Sequence, residues 1–155
     1  MNNYKLLTPG PLTTTKTVKE EMLFDRCTWD DEYKAITQKI RFELLKIAKA
    51  SPKDYTTVLM QGSGSFGVES VLHSTISEKD KLLIISNGAY GERIIKMAKY
   101  MGINYVCYNL EYDKVFETRD IKDILDKDIE ITHIAMVHSE TTTGILNPLD
   151  EIAKI

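Results

Sequence analysis

The sequence predicts an α/β fold: a mostly parallel sheet with flanking helices. Three observations predict it. From residue 56 onward, short apolar runs rich in Leu, Ile and Val alternate with longer stretches of helical period, the pattern of strand–crossover–strand units. Each apolar run is followed by a loop dense in Gly, Ser, Asn or Thr. A hydrophobic share of 43% beside a charged share of 28% is a globular balance, and the chain is long enough to bury a core.

The elements follow in order. Leu6 to Leu12 is extended and turn-rich, because Pro9 and Pro11 around Gly10 exclude a helix interior. Lys16 to Phe24 is a short helix, and Asp30 to Ala50 a long one whose Ile36, Ile40, Leu44, Ile47 and Ala48 share a face before Ser51-Pro52 ends it. Strands are expected at Thr56 to Met60, Lys81 to Ser86, Ile103 to Tyr108 and Thr132 to Val137. Between them lie a loop over Gln61 to Gly67 and a helix carrying Val68, Val71, Leu72, Thr75 and Ile76. A turn over Asn87 to Gly91 leads to a helix over Glu92 to Met101 closed by Gly102, and a short helix covers Thr118 to Leu125. His138 to Gly144 is a polar loop. Asn147-Pro148 reads as an N-cap with proline at N1, opening a helix that presents Leu149, Ile152 and Ala153. That helix begins an apolar face without a stop signal, so the expectation is a fragment or a truncated gene product.

Composition excludes several classes. The net charge is −3 with both signs interspersed, which offers no clustered basic face for nucleic acid. No apolar run approaches the ~20 residues of a membrane span, and Met1 to Leu12 contains no secretory h-region. Cys27 and Cys107 lie far apart without a CxxC, the usage of a reduced, cytoplasmic protein, with Cys107 expected as a buried strand residue. His73, His133 and His138 form no HxxxH pair, so no metal site is expected.

Three loops concentrate the chemistry. Gln61-Gly62-Ser63-Gly64-Ser65-Phe66-Gly67 follows a strand and opens a helix. Glycines let a backbone approach a ligand, the first helical N–H groups are unpaired, and the helix dipole favours an anion there; Ser63 and Ser65 add hydroxyls. The result is a phosphate cup. A serine-capped turn would need only one of the two Gly-Ser pairs. Gly62, Gly64 and Gly67 satisfy GxGxxG, but the second strand ends Ser86-Asn87 without the acidic residue a dinucleotide ribose requires. No GKS or GKT is present, which removes the P-loop. After the second strand, Tyr90 between Gly88 and Gly91 offers a ring that could stack on a flat heterocycle, while Arg93 reads as a helix-surface charge. After the fourth strand, Glu140, Thr141, Thr142 and Thr143 form a hydrogen-bonding loop suited to the polar edge of a cofactor. With right-handed crossovers the three loops share one edge of the sheet.

The stretches LLTPGPLTTTKTVKEEMLFDRCTWDDEY, LMQGSGSFGVES, ISNGAYGER and HIAMVHSETTTGILNPLDEI make the chain resemble the 2-aminoethylphosphonate–pyruvate transaminases, class V aminotransferases with the type I fold of pyridoxal-phosphate enzymes. The resemblance spans nearly the whole chain. It implies the N-terminal portion of a three-layer α/β/α large domain, with residues 1–30 an extended arm and short helix and residues 31–155 an incomplete pyridoxal 5′-phosphate-binding domain. It implies that Ser63, Gly64 and Ser65 bind the cofactor phosphate, that Tyr90 stacks on the pyridine ring, and that Thr141 hydrogen-bonds near the phenolic oxygen. Thr8, Pro9 and Gly10 would lie by the substrate pocket. The implied reaction moves the amino group of 2-aminoethylphosphonate to pyruvate in a cytoplasmic homodimer. The family's Schiff-base lysine, its pyridine-pairing aspartate and a substrate-binding arginine all follow the ETTTG loop, and no lysine here stands in a matching context, so this chain is expected to be inactive alone. Other readings stay open: a class V enzyme of the alanine–glyoxylate type, a non-catalytic remnant, and, disfavoured by Ser86-Asn87, a dinucleotide-binding domain.

Overall fold

A computed structural model describes residues 4–155, which fall into two compact units, one ending at Gln61 and one beginning at Gly62. In the first unit α1 (Lys16–Glu21) and α2 (Asp31–Ile47) are the regular elements. Helix α2 stops three residues earlier than its period suggests. Lys49 adopts a left-handed φ of 53°, and the N–H groups of Lys49 and Ala50 donate to the carbonyls of Lys46 and Leu45, a Schellman closure made without glycine.

The expected strand at Thr56 to Met60 is absent. A strand needs a partner ladder, and here the local polar groups go elsewhere. Arg41 of α2 donates from Nε to the Thr57 carbonyl at 2.9 Å and from Nη2 to Thr56 Oγ1 at 2.6 Å, while Thr57 Oγ1 donates to the Arg41 carbonyl at 3.1 Å. Val58 is left exposed.

The second unit holds α3 (Gly64–Thr75), β1 (Leu82–Ser86), α4 (Ala89–Tyr100), β2 (Tyr105–Asn109), α5 (Thr118–Lys127), β3 (His133–Met136), β4 (Ser139–Glu140), β5 (Ile145–Leu146) and α6 (Leu149–Ile152). Three strands form a parallel sheet in the order β2-β1-β3, with Leu82 in register with both Tyr105 and His133. All five residues of β1 are buried, as a central parallel strand requires. Because side chains alternate along a strand, β1 feeds two cores. Leu82 and Ile84 pack with Leu72 of α3 and with Ile94 and Ala98 of α4. Leu83 and Ile85 pack with Phe116, Ile121 of α5 and Ile152 of α6. Helix, sheet and helix thus make three layers.

Three local expectations are corrected. The polar loop after β3 contains a short antiparallel hairpin, β4 with β5, because the carbonyl of Glu140 accepts from the N–H groups of Thr143 and Gly144 and turns the chain. Cys107 is exposed rather than buried, since β2 is an edge strand. Asn147 does not cap α6; Pro148 takes the cap position. The Asn147 side chain is instead buried against Asn87. The two amides exchange hydrogen bonds of 2.9 and 3.1 Å, Asn87 Nδ2 also donates to the Lys114 carbonyl at 2.8 Å, and Asn147 Nδ2 to the Val137 carbonyl at 2.7 Å. This pair ties together the connections that leave β1, β2 and β3. Among the described residues no helix is long and apolar enough to cross a membrane.

Asn147→Ala should therefore leave the Asn87 Oδ1 atom and the Val137 carbonyl buried without a donor. A destabilisation of about 2–3 kcal/mol is expected, read as a lowered urea midpoint with little change in the far-ultraviolet spectrum.

Candidate functional site

The chain leaves β1 through Ser86, Asn87 and Gly88 and enters α4 at once, so the first amides of α4 need acceptors. Glu140 supplies them. Its side chain is fully buried; Oε1 accepts from the Tyr90 N–H at 3.4 Å and Oε2 from the Gly91 N–H at 3.2 Å. Thr142 completes the arrangement, donating to Oε1 from its N–H at 3.3 Å and its hydroxyl at 2.8 Å, while Thr142 Oγ1 accepts from the Ala89 N–H at 3.3 Å. The carboxylate also lies at the positive end of the α4 dipole, which favours its charge. Gly88 is obligatory: a Cβ there would overlap the Glu140 side chain.

This anchoring fixes Tyr90 in the first turn of α4, where its ring is partly exposed. The Arg93 guanidinium lies over that ring at 4.6 Å from the centroid, and its Nη1 donates to Ser65 Oγ at 3.0 Å. Ser65, the second residue of α3, is thereby joined to Tyr90 through one side chain. Glu92, next along α4, accepts from the Tyr112 hydroxyl at 2.8 Å and so raises the phenol's pKa.

The loop before α3 is equally specific. Ser63 is the N-cap, its Oγ accepting from the Phe66 N–H at 3.3 Å. Gly62 has a φ of 141°, and a Cβ there would stand 2.8 Å from the Phe66 ring, so this position accepts only glycine. Around Gly64 and Gly67 the space is open; both border a groove of about 510 Å³ shared with Ala135 and Met136 of β3.

The structure thus brings together Ser63, Gly64, Ser65 and Tyr90. Thr141 stands exposed in the β4–β5 turn, and its hydroxyl has no hydrogen-bond partner among the described residues. Thr8, Pro9 and Gly10 belong to the first unit, where Leu7 bridges Leu12 and Thr8 Oγ1 donates to the Pro11 carbonyl at 2.5 Å, closing a tight turn. Sequence reasoning missed two residues. Arg93, read as a surface charge, is the link between α3 and α4; it sits at i+3 from Tyr90, a pairing hidden as long as the helix was started at Glu92. Glu140 was read as part of a polar loop, although a lone acid directly after a strand, opposite a Gly-x-x-Gly turn, was a usable signal.

Removing the acceptor tests this anchoring. Glu140→Ala should cost about 2–4 kcal/mol by leaving buried amides unpaired, and Gly88→Ala should be at least as harmful because the clash is with a side chain that cannot move away. Chemical denaturation of both variants checks this, and an unchanged midpoint in either would contradict it.

Comparison with known proteins gives this geometry a setting. The chain is 62% identical over its full length to a 2-aminoethylphosphonate–pyruvate transaminase of Lysinibacillus sphaericus (strain C3-41), covering 42% of that relative. It is 53% identical to the protein of the same name from Bacillus cereus (strain AH820) over 99% of this chain and 42% of that one. It therefore spans less than half the length of these relatives. The crystal structure of a pyridoxamine–pyruvate aminotransferase from Mesorhizobium loti superposes with a TM-score of 0.84 at 24% identity, covering 96% of this chain and 37% of that one, which establishes the fold. Residues 27–155 match the aminotransferase class-V family, and to that family the chain belongs.

Proposed function

We propose that this chain is the cofactor-cradling part of a 2-aminoethylphosphonate–pyruvate transaminase, a cytoplasmic homodimeric enzyme that moves an amino group from 2-aminoethylphosphonate to pyruvate and yields phosphonoacetaldehyde and alanine. The substrates come from the name of the relatives at 62% and 53% identity. The observation that carries the cofactor reading is the Ser65–Arg93–Tyr90 chain, which gathers an anion cup and a ring platform at one place.

The residues fit pyridoxal 5′-phosphate. The first-turn amides of α3, the Ser65 hydroxyl and the Arg93 cation suit a doubly charged phosphate ester, and the room beside Gly64 and Gly67 admits it. Tyr90 has one face under Arg93, so a flat heterocycle would use the other. Thr141 would donate its hydroxyl to the ring's phenolic oxygen. Thr8, Pro9 and Gly10 would contribute to the substrate pocket. Bound there, the cofactor would act as the electron sink for the carbon that bears the transferred amino group. Within this proposal none of the chain's lysines is the one that holds the cofactor covalently, so the 155 residues bind and orient it without turning it over.

Spectrophotometric titration of the purified chain with pyridoxal phosphate should show saturable binding that dialysis reverses. Tyr90→Ala should weaken it by about three- to tenfold, the worth of one aromatic stack. No alanine should form from 2-aminoethylphosphonate and pyruvate. Absence of saturable binding would overturn the cofactor reading, and alanine formation would overturn the claim of inactivity.

A further inference from the structure

We infer that Thr142 is a positioning residue that locks the Thr141 hydroxyl and the Tyr90 ring into a single unit through the buried Glu140 carboxylate; the inference rests on the cofactor reading above. Thr141 and Tyr90 belong to different elements, the β4–β5 turn and the first turn of α4. The Thr141 hydroxyl makes no hydrogen bond among the described residues. Its place is set by its two neighbours in the chain, and both are committed to α4. Glu140 Oε1 accepts from the Tyr90 N–H at 3.4 Å. Thr142 Oγ1 accepts from the Ala89 N–H at 3.3 Å and donates to that same Oε1 at 2.8 Å. The Thr142 hydroxyl thus closes a ring of hydrogen bonds. Two consecutive amides of α4 meet two oxygens that are bonded to each other, and Thr141 lies on the chain between the residues that carry those oxygens.

The far side of the turn is held by the same acid: the Glu140 carbonyl accepts from the N–H groups of Thr143 at 3.3 Å and Gly144 at 2.8 Å. Helix capping does not account for the Thr142 bond. Glu140 alone already serves the Tyr90 and Gly91 amides. Thr142 is exposed, so water can serve the Ala89 N–H in its place, and the bond adds little net stability. What water cannot supply is a fixed distance between the turn and the helix. Threonine is suited to the task because one hydroxyl both accepts and donates, and its branched Cβ restricts χ1. A flat ligand that meets Tyr90 with a face and Thr141 with an edge needs both groups held in one frame.

Calorimetric titration with pyridoxamine 5′-phosphate tests the assignment; the amino form avoids the aldehyde's indiscriminate reaction with lysines. Thr142→Val keeps the shape of the side chain and removes the hydroxyl. It should lower affinity about fivefold, and Thr142→Ser should bring affinity back to within about twofold of the parent. The losses should also be coupled. Tyr90→Ala and Thr141→Ala each weaken binding in the parent, and each should cost about threefold less in the Thr142→Val background. The urea midpoint of Thr142→Val should stay close to that of the parent, which separates positioning from loss of the fold. Unchanged affinity in Thr142→Val, a loss that Thr142→Ser does not reverse, or single losses that simply multiply would each overturn the assignment and leave the cofactor reading intact. If the unaltered chain binds no pyridoxamine 5′-phosphate, the cofactor reading fails and the assignment falls with it.

Discussion

A carboxylate buried at the start of a helix sets the geometry of everything that follows β1. Glu140 arrives from β4 and takes the place where a side chain on residue 88 would stand, and the first free amides of α4 close on its two oxygens. Its burial is tolerable because several hydrogen bonds and a helix dipole face the charge. The consequence is positional: the amides of Tyr90 and Gly91 are both held, which sets where the first turn of α4 places the Tyr90 ring. The reciprocal amides of Asn87 and Asn147 perform a related task one step deeper, binding the exits of the three parallel strands to one another.

Two helices begin at this edge, and they are treated differently. The start of α4 is satisfied internally, by a side chain of the same unit. The start of α3 is capped by Ser63 alone and meets a cation instead of an acid. That asymmetry gives the site its direction. Glu140 fills the space at the start of α4, whereas the space beside Gly64 and Gly67 of α3 is open, with the Tyr90 ring joined to α3 through the Arg93 side chain. In the proposed reading one loop would hold an ester and the next would present a ring.

Much of the second unit was legible in the sequence because its signals are local. The runs Leu82–Ser86 and His133–Met136 are short, apolar and bounded by turn residues, and the helical periods between them are clear. The turn that opens α3 was visible in its glycines and serines, and Ser63 caps the helix. What escaped depended on contacts distant in sequence. Thr56 to Met60 has the composition of a strand, yet strand formation is a property of pairs, and Arg41 claimed its polar groups first. Asn147 beside Pro148 matched a capping signal, but a partner 60 residues away won the side chain. Arg93 and Glu140 were hidden for the same reason: each acts across elements, and no window of sequence shows both ends of such a bond.

The amides of Tyr90 and Gly91 provide the most direct measurement. They occupy the second and third positions of α4, where helix amides usually exchange freely because no intrahelical acceptor exists. Residue-resolved hydrogen exchange on the chain should find both protected by about a hundredfold or more, at a level comparable with the interior of the helix. Exchange at the rate of an unstructured peptide would show that the Glu140 carboxylate does not hold them, and the arrangement of cup and ring platform argued from it would be wrong.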